Sequence, residues 1–264
     1  MTLHATRHDT RWTAALAAIL SVGVLALVAS VALQSPRGQR WDDWALSTVF
    51  AGENARTTLL SGLGYVSIAG VTVVAGACVV LALSRGQVRL AAIALTLIAG
   101  ANITTQLLKH VVLTRPDYGF STLNSLPSGH TTVVASAAAA LILVSPRALR
   151  VVFAGLGSFA ITMTGASTIV AGWHRPADVV AALAVCLAWT GAAALVADGE
   201  RRADPGSAFA SVLGAAAALL SLIAVGVRPM SGWDGLRLGG LVLAAVVLVT
   251  ALFVWAAAAI SPSA

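Results

Sequence analysis

Charge is what this sequence has least of. Of its 264 residues, 10% are Asp, Glu, Lys or Arg, against about 25% in a typical soluble domain. Aromatic residues make up 6%, and there are two cysteines and a single lysine. A globule of this size with so few polar side chains cannot cover its exterior in water. That excludes a soluble enzyme and a soluble nucleic-acid-binding module. Disorder is excluded for the opposite reason, because 58% of the residues are hydrophobic and the mean hydropathy is +0.90. Cys78 and Cys186 both lie inside apolar runs, and no Cys/His spacing suits zinc. They read as small core residues, with no metal site and no disulfide.

What is present is Ala, Val, Leu and Gly in long runs, the composition of an all-α polytopic membrane bundle. A bilayer core takes about 20 apolar residues as helix. Eight runs qualify: 13–33, 59–83, 90–113, 131–144, 149–171, 179–197, 208–227 and 236–260. The first is too long for a signal-peptide core and lacks a small-residue cleavage site, so it is expected as a retained helix. The fourth, at 14 residues, gives only about 21 Å of helix, so it begins below the membrane surface or is completed by loop residues. No soluble second domain and no tandem repeat is visible. Trp41-Asp42-Asp43-Trp44, in the longest connection, is expected as a short amphipathic helix on the outer surface.

The net charge of +6 would suggest nucleic acid in a soluble protein. Here arginines facing anionic headgroups account for it, and no nucleic-acid partner is expected. Arg outnumbers Lys 15 to 1, a bias of high-GC bacterial genomes. Arg7, Arg11, Arg85, Arg89, Arg147, Arg150, Arg201 and Arg202 fall on one side in short connections, which the positive-inside rule makes cytoplasmic. The other side carries as many: Arg37, Arg40, Arg56, Arg115, Arg175, Arg228, Arg237 and Lys109. Chemistry breaks the tie. Lys109, Arg115 and Arg175 lie in motifs, and Arg37, Arg40 and Arg56 share a loop with Asp42, Asp43 and Glu53. Trp41, Trp44, Trp173 and Trp233 fall at the expected outer interface.

Ionisable residues at membrane depth are costly and usually functional. Lys109 ends the third run, followed by Arg115-Pro116. Pro127-Ser128-Gly129-His130 opens the fourth, and His174 with Asp178 opens the sixth. Even numbers of crossings separate these segments, so all are expected on one membrane face. The chemistry suggested is phosphate chemistry. Lys109 and Arg115 supply cationic donors. Ser128-Gly129 leads into a helix N-terminus that favours an anion. Two histidines can divide nucleophile and acid roles. Asp178, one helical turn after His174, can fix its tautomer. No metal or cofactor is called for.

Taken singly, each residue suits an ordinary structural role. Lys109 fits a snorkelling interfacial lysine, His130 a helix-start histidine, His174 with Asp178 a structural pair, and Arg175 an interfacial anchor. Thr104, Thr105 and Gln106 either line a cavity or join helices. His110 adjoins Lys109 without a matching role.

Together the segments 109–116, 127–130 and 167–178 resemble the three signature motifs of the type-2 phosphatidic acid phosphatase family, whose superfamily includes the vanadium haloperoxidases. The resemblance implies a six-helix phosphatase-like core over residues 1–200, with two further transmembrane helices in 201–264. It implies His174 as nucleophile forming a phosphohistidine, Asp178 as its orienting partner and His130 as acid to the leaving group. Lys109, Arg115, Ser128 and Gly129 would hold the phosphate. Two departures stand out. Five residues separate Lys109 from Arg115 where the family has six, a rotation of about 100° in a regular helix unless the helix breaks near Leu113-Thr114. Thr168 stands where the family has an arginine, leaving Thr168 and Arg175 as candidate donors.

The implied activity is hydrolysis of a lipid phosphate or polyprenyl (di)phosphate at the outer leaflet of a bacterial plasma membrane. The expected partners are that substrate and the bilayer, with the oligomeric state open. A lipid-phosphate binder or transporter, and a lipid phosphotransferase, are the alternatives on the same scaffold.

Overall fold

The apolar runs form helices because lipid offers no partner for backbone N–H and C=O groups, so each run must satisfy its own. The computed structural model describes residues 7–262 apart from 65, 67, 121, 122, 198 and 200–204. In chain order the described elements are α1 (Arg7–Gln34), α2 (Pro36–Ser47), β1 (Val49–Ala51), α3 (Glu53–Gly64), α4 (Ile68–Leu83) and α5 (Val88–Leu107). A π-helical turn, Leu108–Val112, extends α5. Then come α6 (Gly129–Val144), α7 (Arg147–Val170), α8 (Pro176–Val196), α9 (Pro205–Val225), β2 (Val227–Pro229) and α10 (Trp233–Ile260). Six of the described helices are long and apolar enough to cross a bilayer, and α3 with α4 makes a seventh if counted as one bent span. The protein is a multi-pass membrane bundle.

Two expectations need correction. The run 59–83 is not one helix but α3 and α4, bent by 49° at a break. The third run does not stay α-helical to its end. Leu113 N–H donates to Leu108 O at 2.8 Å, five residues back, and the chain is extended from Leu113 onward. The short fourth run is the middle of the bundle: α6 packs against α4, α5, α7, α8 and α10, and Ala135, Ala139, Ile142 and Leu143 are fully buried. A helix surrounded by helices need not match the bilayer thickness.

Small residues let the helices approach closely. A Cβ on Gly214 of α9 would lie 2.1 Å from the Gly155 carbonyl oxygen of α7. One on Gly191 of α8 would lie 2.8 Å from that of Ala14 in α1. Any side chain at either site would push the pair apart. The last two helices are further tied in by an antiparallel ribbon that the sequence did not announce. Val49, Phe50 and Ala51 pair with Pro229, Arg228 and Val227, joining the α9–α10 turn to the chain after α2. Cys78 and Cys186 are free and fully buried, as expected.

At the end of the bundle opposite the motifs, three arginines read as loop charges take a different role. Arg85 donates to Val144 O (2.9 Å), at the end of α6, and Arg89 to Val196 O (3.0 Å), at the end of α8. Arg150 is 1% exposed and donates to Ser261 O (3.2 Å) and Pro262 O (2.6 Å), just past α10. Helix C-termini carry orphan carbonyls and the negative end of the dipole, which cationic donors satisfy. Arg201 and Arg202 lie outside the described residues. Replacing Arg150 with Met removes both donors from buried carbonyls and should lower stability by roughly 2 kcal/mol. Thermal unfolding in detergent checks this; a loss below about 0.5 kcal/mol would show that the cap carries no weight.

Candidate active site

The turn between α7 and α8 is built by backbone. Thr168 O accepts from Trp173 N–H (3.0 Å) and His174 N–H (3.2 Å), and Gly172 supplies the positive φ of 76° that the reversal needs. Arg175 is the N-cap of α8, Pro176 follows at the first helical position, and Asp178 lies in the first turn. Asp178 Oδ2 accepts from the Arg175 backbone N–H (2.9 Å) and from His174 Nδ1 (3.1 Å). A carboxylate on Nδ1 fixes the proton there and leaves Nε2 with its lone pair.

The N-terminus of α6 is joined to that turn. Ser128 N–H donates to Asp178 O at 3.0 Å, while Ser128 Oγ caps α6 by accepting from Thr131 N–H at 3.3 Å. His130 is thereby carried to His174, with ring centroids 6.3 Å apart. The Trp173 ring flanks His130 at 5.5 Å. From the third side come Gln106 of α5 and Lys109 of the π-helical turn. The turn is held by Asn124 Nδ2, which donates to Lys109 O (3.1 Å) and Leu113 O (2.9 Å). Because helix ends at Val112, Arg115 lies beyond the helix; the break comes near Leu113, and the rotation of a regular helix does not arise.

His130, His174, Lys109, Gly129, Gln106 and Asn102 line one cavity of about 770 Å³. It continues between α4, α5 and α6 over Val71, Ala75, Leu95, Ile98 and Val133. At its polar end the first-turn amides of Gly129 and His130 have no acceptor within their helix, by position alone. With the helix dipole they favour an anion. The Gln106 amide is close to them, since a Cβ on Gly129 would lie 3.7 Å from its Nε2. Thr105 instead bonds Thr132 (2.9 Å) and Thr104 accepts from Trp189 Nε1 (3.0 Å), so both join helices.

Four expected phosphate ligands do not line that cavity. Thr168 is fully buried and spends its hydroxyl on Gly165 O at 2.8 Å. Ser128 is a buried cap. Arg175 donates through Nη1 to Ser125 Oγ (3.1 Å) and through Nε to Asp43. Arg115 Nη2 reaches the same Asp43 oxygen at 3.4 Å.

The acids of α2, expected at the outer surface, thus belong to the site's framework. Asp42 Oδ1 also accepts from Ala177 N–H, in the first turn of α8, at 3.1 Å. Asp42, Asp43 and Trp173 are the site residues that sequence reasoning did not select, while Gln106, named as lining a cavity or joining helices, lines the cavity. The one available signal was an excess of motif arginines over motif acids.

Asp42 is buried, and its Oδ2 has no hydrogen-bond partner among the described residues. Burial, and then the charge of Asp178, push its carboxyl up from 3.8 to about 7, against the opposing pull of the Ala177 amide, Arg175 and Arg115. The folded protein therefore holds this proton to a higher pH than the unfolded chain. Its contribution to stability is full below about pH 4 and is lost as pH rises through about 7. Asp42→Asn, a neutral isostere, should gain stability over wild type between about pH 5 and pH 8. Thermal unfolding across that range tests this, and a pH-independent difference would refute it.

No curated protein and no solved structure matches the chain. Residues 90–202 match the family model described as PAP2 superfamily, whose members are generally phosphatases acting on phosphate esters. The match begins in α5 and runs through α8, so it contains both histidines, Asp178, Lys109, Gln106 and Gly129, and leaves out α2 with its two acids. Over the segment that builds the polar end of the cavity, this multi-pass membrane protein is similar to the PAP2 superfamily.

Proposed function

We propose that the protein is an integral-membrane phosphatase acting on a lipid phosphate or polyprenyl (di)phosphate through a phosphohistidine. The observation that carries the reading is one cavity with two imidazoles 6.3 Å apart at its polar end and an apolar trough leading away from them. Along α5 the trough lining runs from Leu95 to Lys109, about 21 Å at 1.5 Å per residue, a length suited to an acyl or prenyl chain.

In the first step His174 Nε2 attacks phosphorus. The N–P bond forms, the ester P–O bond breaks, and the electron pair leaves on the alkoxide or phosphate oxygen. His130 gives its proton to an alkoxide leaving group. Asp178, bonded to Nδ1–H, stabilises the positive charge that develops on the His174 ring. Lys109, Gln106 and the first-turn amides of α6 receive charge on the phosphoryl oxygens. In the second step His130 takes a proton from water, which attacks phosphorus and breaks the N–P bond. The extracytoplasmic placement of this end rests on the arginine distribution and on the exposed Trp41, Trp44, Trp173 and Trp233 around it. The six-helix core over residues 1–200 with an added helix pair belongs to the same reading.

A second reading, a lipid-phosphate binder without turnover, is favoured by the two motif arginines being engaged by Asp43 instead of lining the cavity. Phosphate release by the purified protein from phosphatidic acid and a short polyprenyl diphosphate, with chelator present, separates the two. His174→Ala and His130→Ala should each lower kcat by at least about 10³-fold, and Asp178→Asn by a similar factor. Vanadate should inhibit. Tight lipid-phosphate binding without turnover, unchanged in His174→Ala, would establish the binder instead.

A further inference from the structure

Arg115 and Arg175 are 8% and 6% exposed, and both use the same oxygen of Asp43. Two guanidiniums side by side repel. Burial first, and then the Arg175 charge, lower the pKa of Arg115, while Asp43, Asp42 and Asp178 raise it. A single oxygen of Asp43 bonds both guanidiniums, while Asp42 and Asp178 act on Arg115 through space. Two guanidinium forks are also better matched to a phosphoryl group, which offers three oxygens and up to two charges, than to one carboxylate oxygen.

Access and position point the same way. The Asp43 side chain is 23% exposed and sits on α2, outside the matched segment. Arg175 follows His174 directly, and its backbone N–H shares the Asp178 oxygen that holds the His174 ring. The arginine pair is thus joined to His174 through one turn of backbone.

We infer that Asp43 is a specificity-determining residue: its carboxylate fills the anion position between Arg115 and Arg175, and a second phosphoryl group on the substrate takes that position by displacing it. The inference rests on the phosphatase reading for its substrate, and its readout is anion binding, which does not require turnover. For a diphosphate the step balances. The N–P bond to His174 forms with the terminal phosphorus, and the bond from that phosphorus to the bridging oxygen breaks. The electron pair stays on the bridging oxygen, now part of a lipid monophosphate whose charge the two arginines hold without a proton from His130. A monophosphate does not reach the pair and gains nothing from it.

The test uses inorganic phosphate and inorganic pyrophosphate as probes on the full-length protein in detergent, with chelator present. Dissociation constants come from calorimetry and from the shift in thermal unfolding. Asp43→Asn should tighten pyrophosphate binding by about tenfold and phosphate by less than about threefold. Asp43→Glu, which keeps the charge, should retain the wild-type ratio. Arg175→Gln should abolish any preference for pyrophosphate and also covers the case in which Asp43→Asn does not fold. Weaker pyrophosphate binding in Asp43→Asn would make the carboxylate a scaffold and overturn the inference, as would equal tightening for both anions. If phosphate and vanadate bind but the ratio never moves, the inference alone fails. If neither anion binds any variant, the phosphatase reading fails with it.

Discussion

Asp178 connects the site more than any other residue. Its side chain accepts from His174 Nδ1 and from the Arg175 amide, and its carbonyl accepts from Ser128 N–H. The first two bonds fix the nucleophilic ring on α8; the third docks the N-terminus of α6, and with it His130, against the same turn. A buried carboxylate is costly unless its lone pairs are used, and here one oxygen satisfies two donors from its own turn. Without that residue the imidazole loses its orienting acceptor and the α7–α8 turn loses its brace.

The bundle's antiparallel layout makes this junction useful. α6 and α8 both begin at the motif end, so their positive dipole ends, with the first-turn amides of α6, meet where a phosphate would sit. Their negative ends lie at the far face, where Arg85 and Arg89 donate to the last carbonyls. One set of helix directions thus gives an anion site at one face and arginine-capped termini at the other. Arginine counts alone were consequently an ambiguous guide to sidedness. Several of the counted side chains answer to helix ends inside the protein as much as to a bilayer outside it.

Most of the fold was legible because lipid constrains a chain so severely. Apolar length and the need for internal hydrogen bonding yield the spans, and parity of crossings brings Lys109, His130 and His174 to one end, where they share a cavity. What periodicity and composition could not convey was local departure from regular helix. The break between α3 and α4 falls inside an apolar run, and the π-helical turn after Leu107 and the three-residue ribbon lie at or beyond the ends of such runs. There a single backbone hydrogen bond, and not the hydrophobic pattern, decides the path. The shortened first motif is an example: its spacing pointed to a break near Leu113-Thr114, where the chain does leave the helix, but not to the π-helical turn before it. Thr168, too, keeps only a backbone role, its carbonyl accepting from Trp173 and His174.

The acids of α2 were illegible for a different reason. Asp43 lies 72 residues from Arg115 and 132 from Arg175, and Asp42 lies 135 from Ala177. No local pattern encodes such contacts. A helix reading Trp41-Asp42-Asp43-Trp44 suits a surface helix equally well with its acids facing water or facing the protein. Electrostatics selects the second arrangement. Arg115 and Arg175 must end in the buried polar layer above the bundle, because their neighbours His174 and Pro116 are fixed there. Guanidiniums there need an anion. The source is α2, the helix after α1, whose Gln39 donates to Leu33 O (2.8 Å) and Pro116 O (3.0 Å). That stapling brings α2 over the site and sets Asp43 between the two arginines. A helix lying outside the matched family segment thereby governs how much positive charge the matched segment can present.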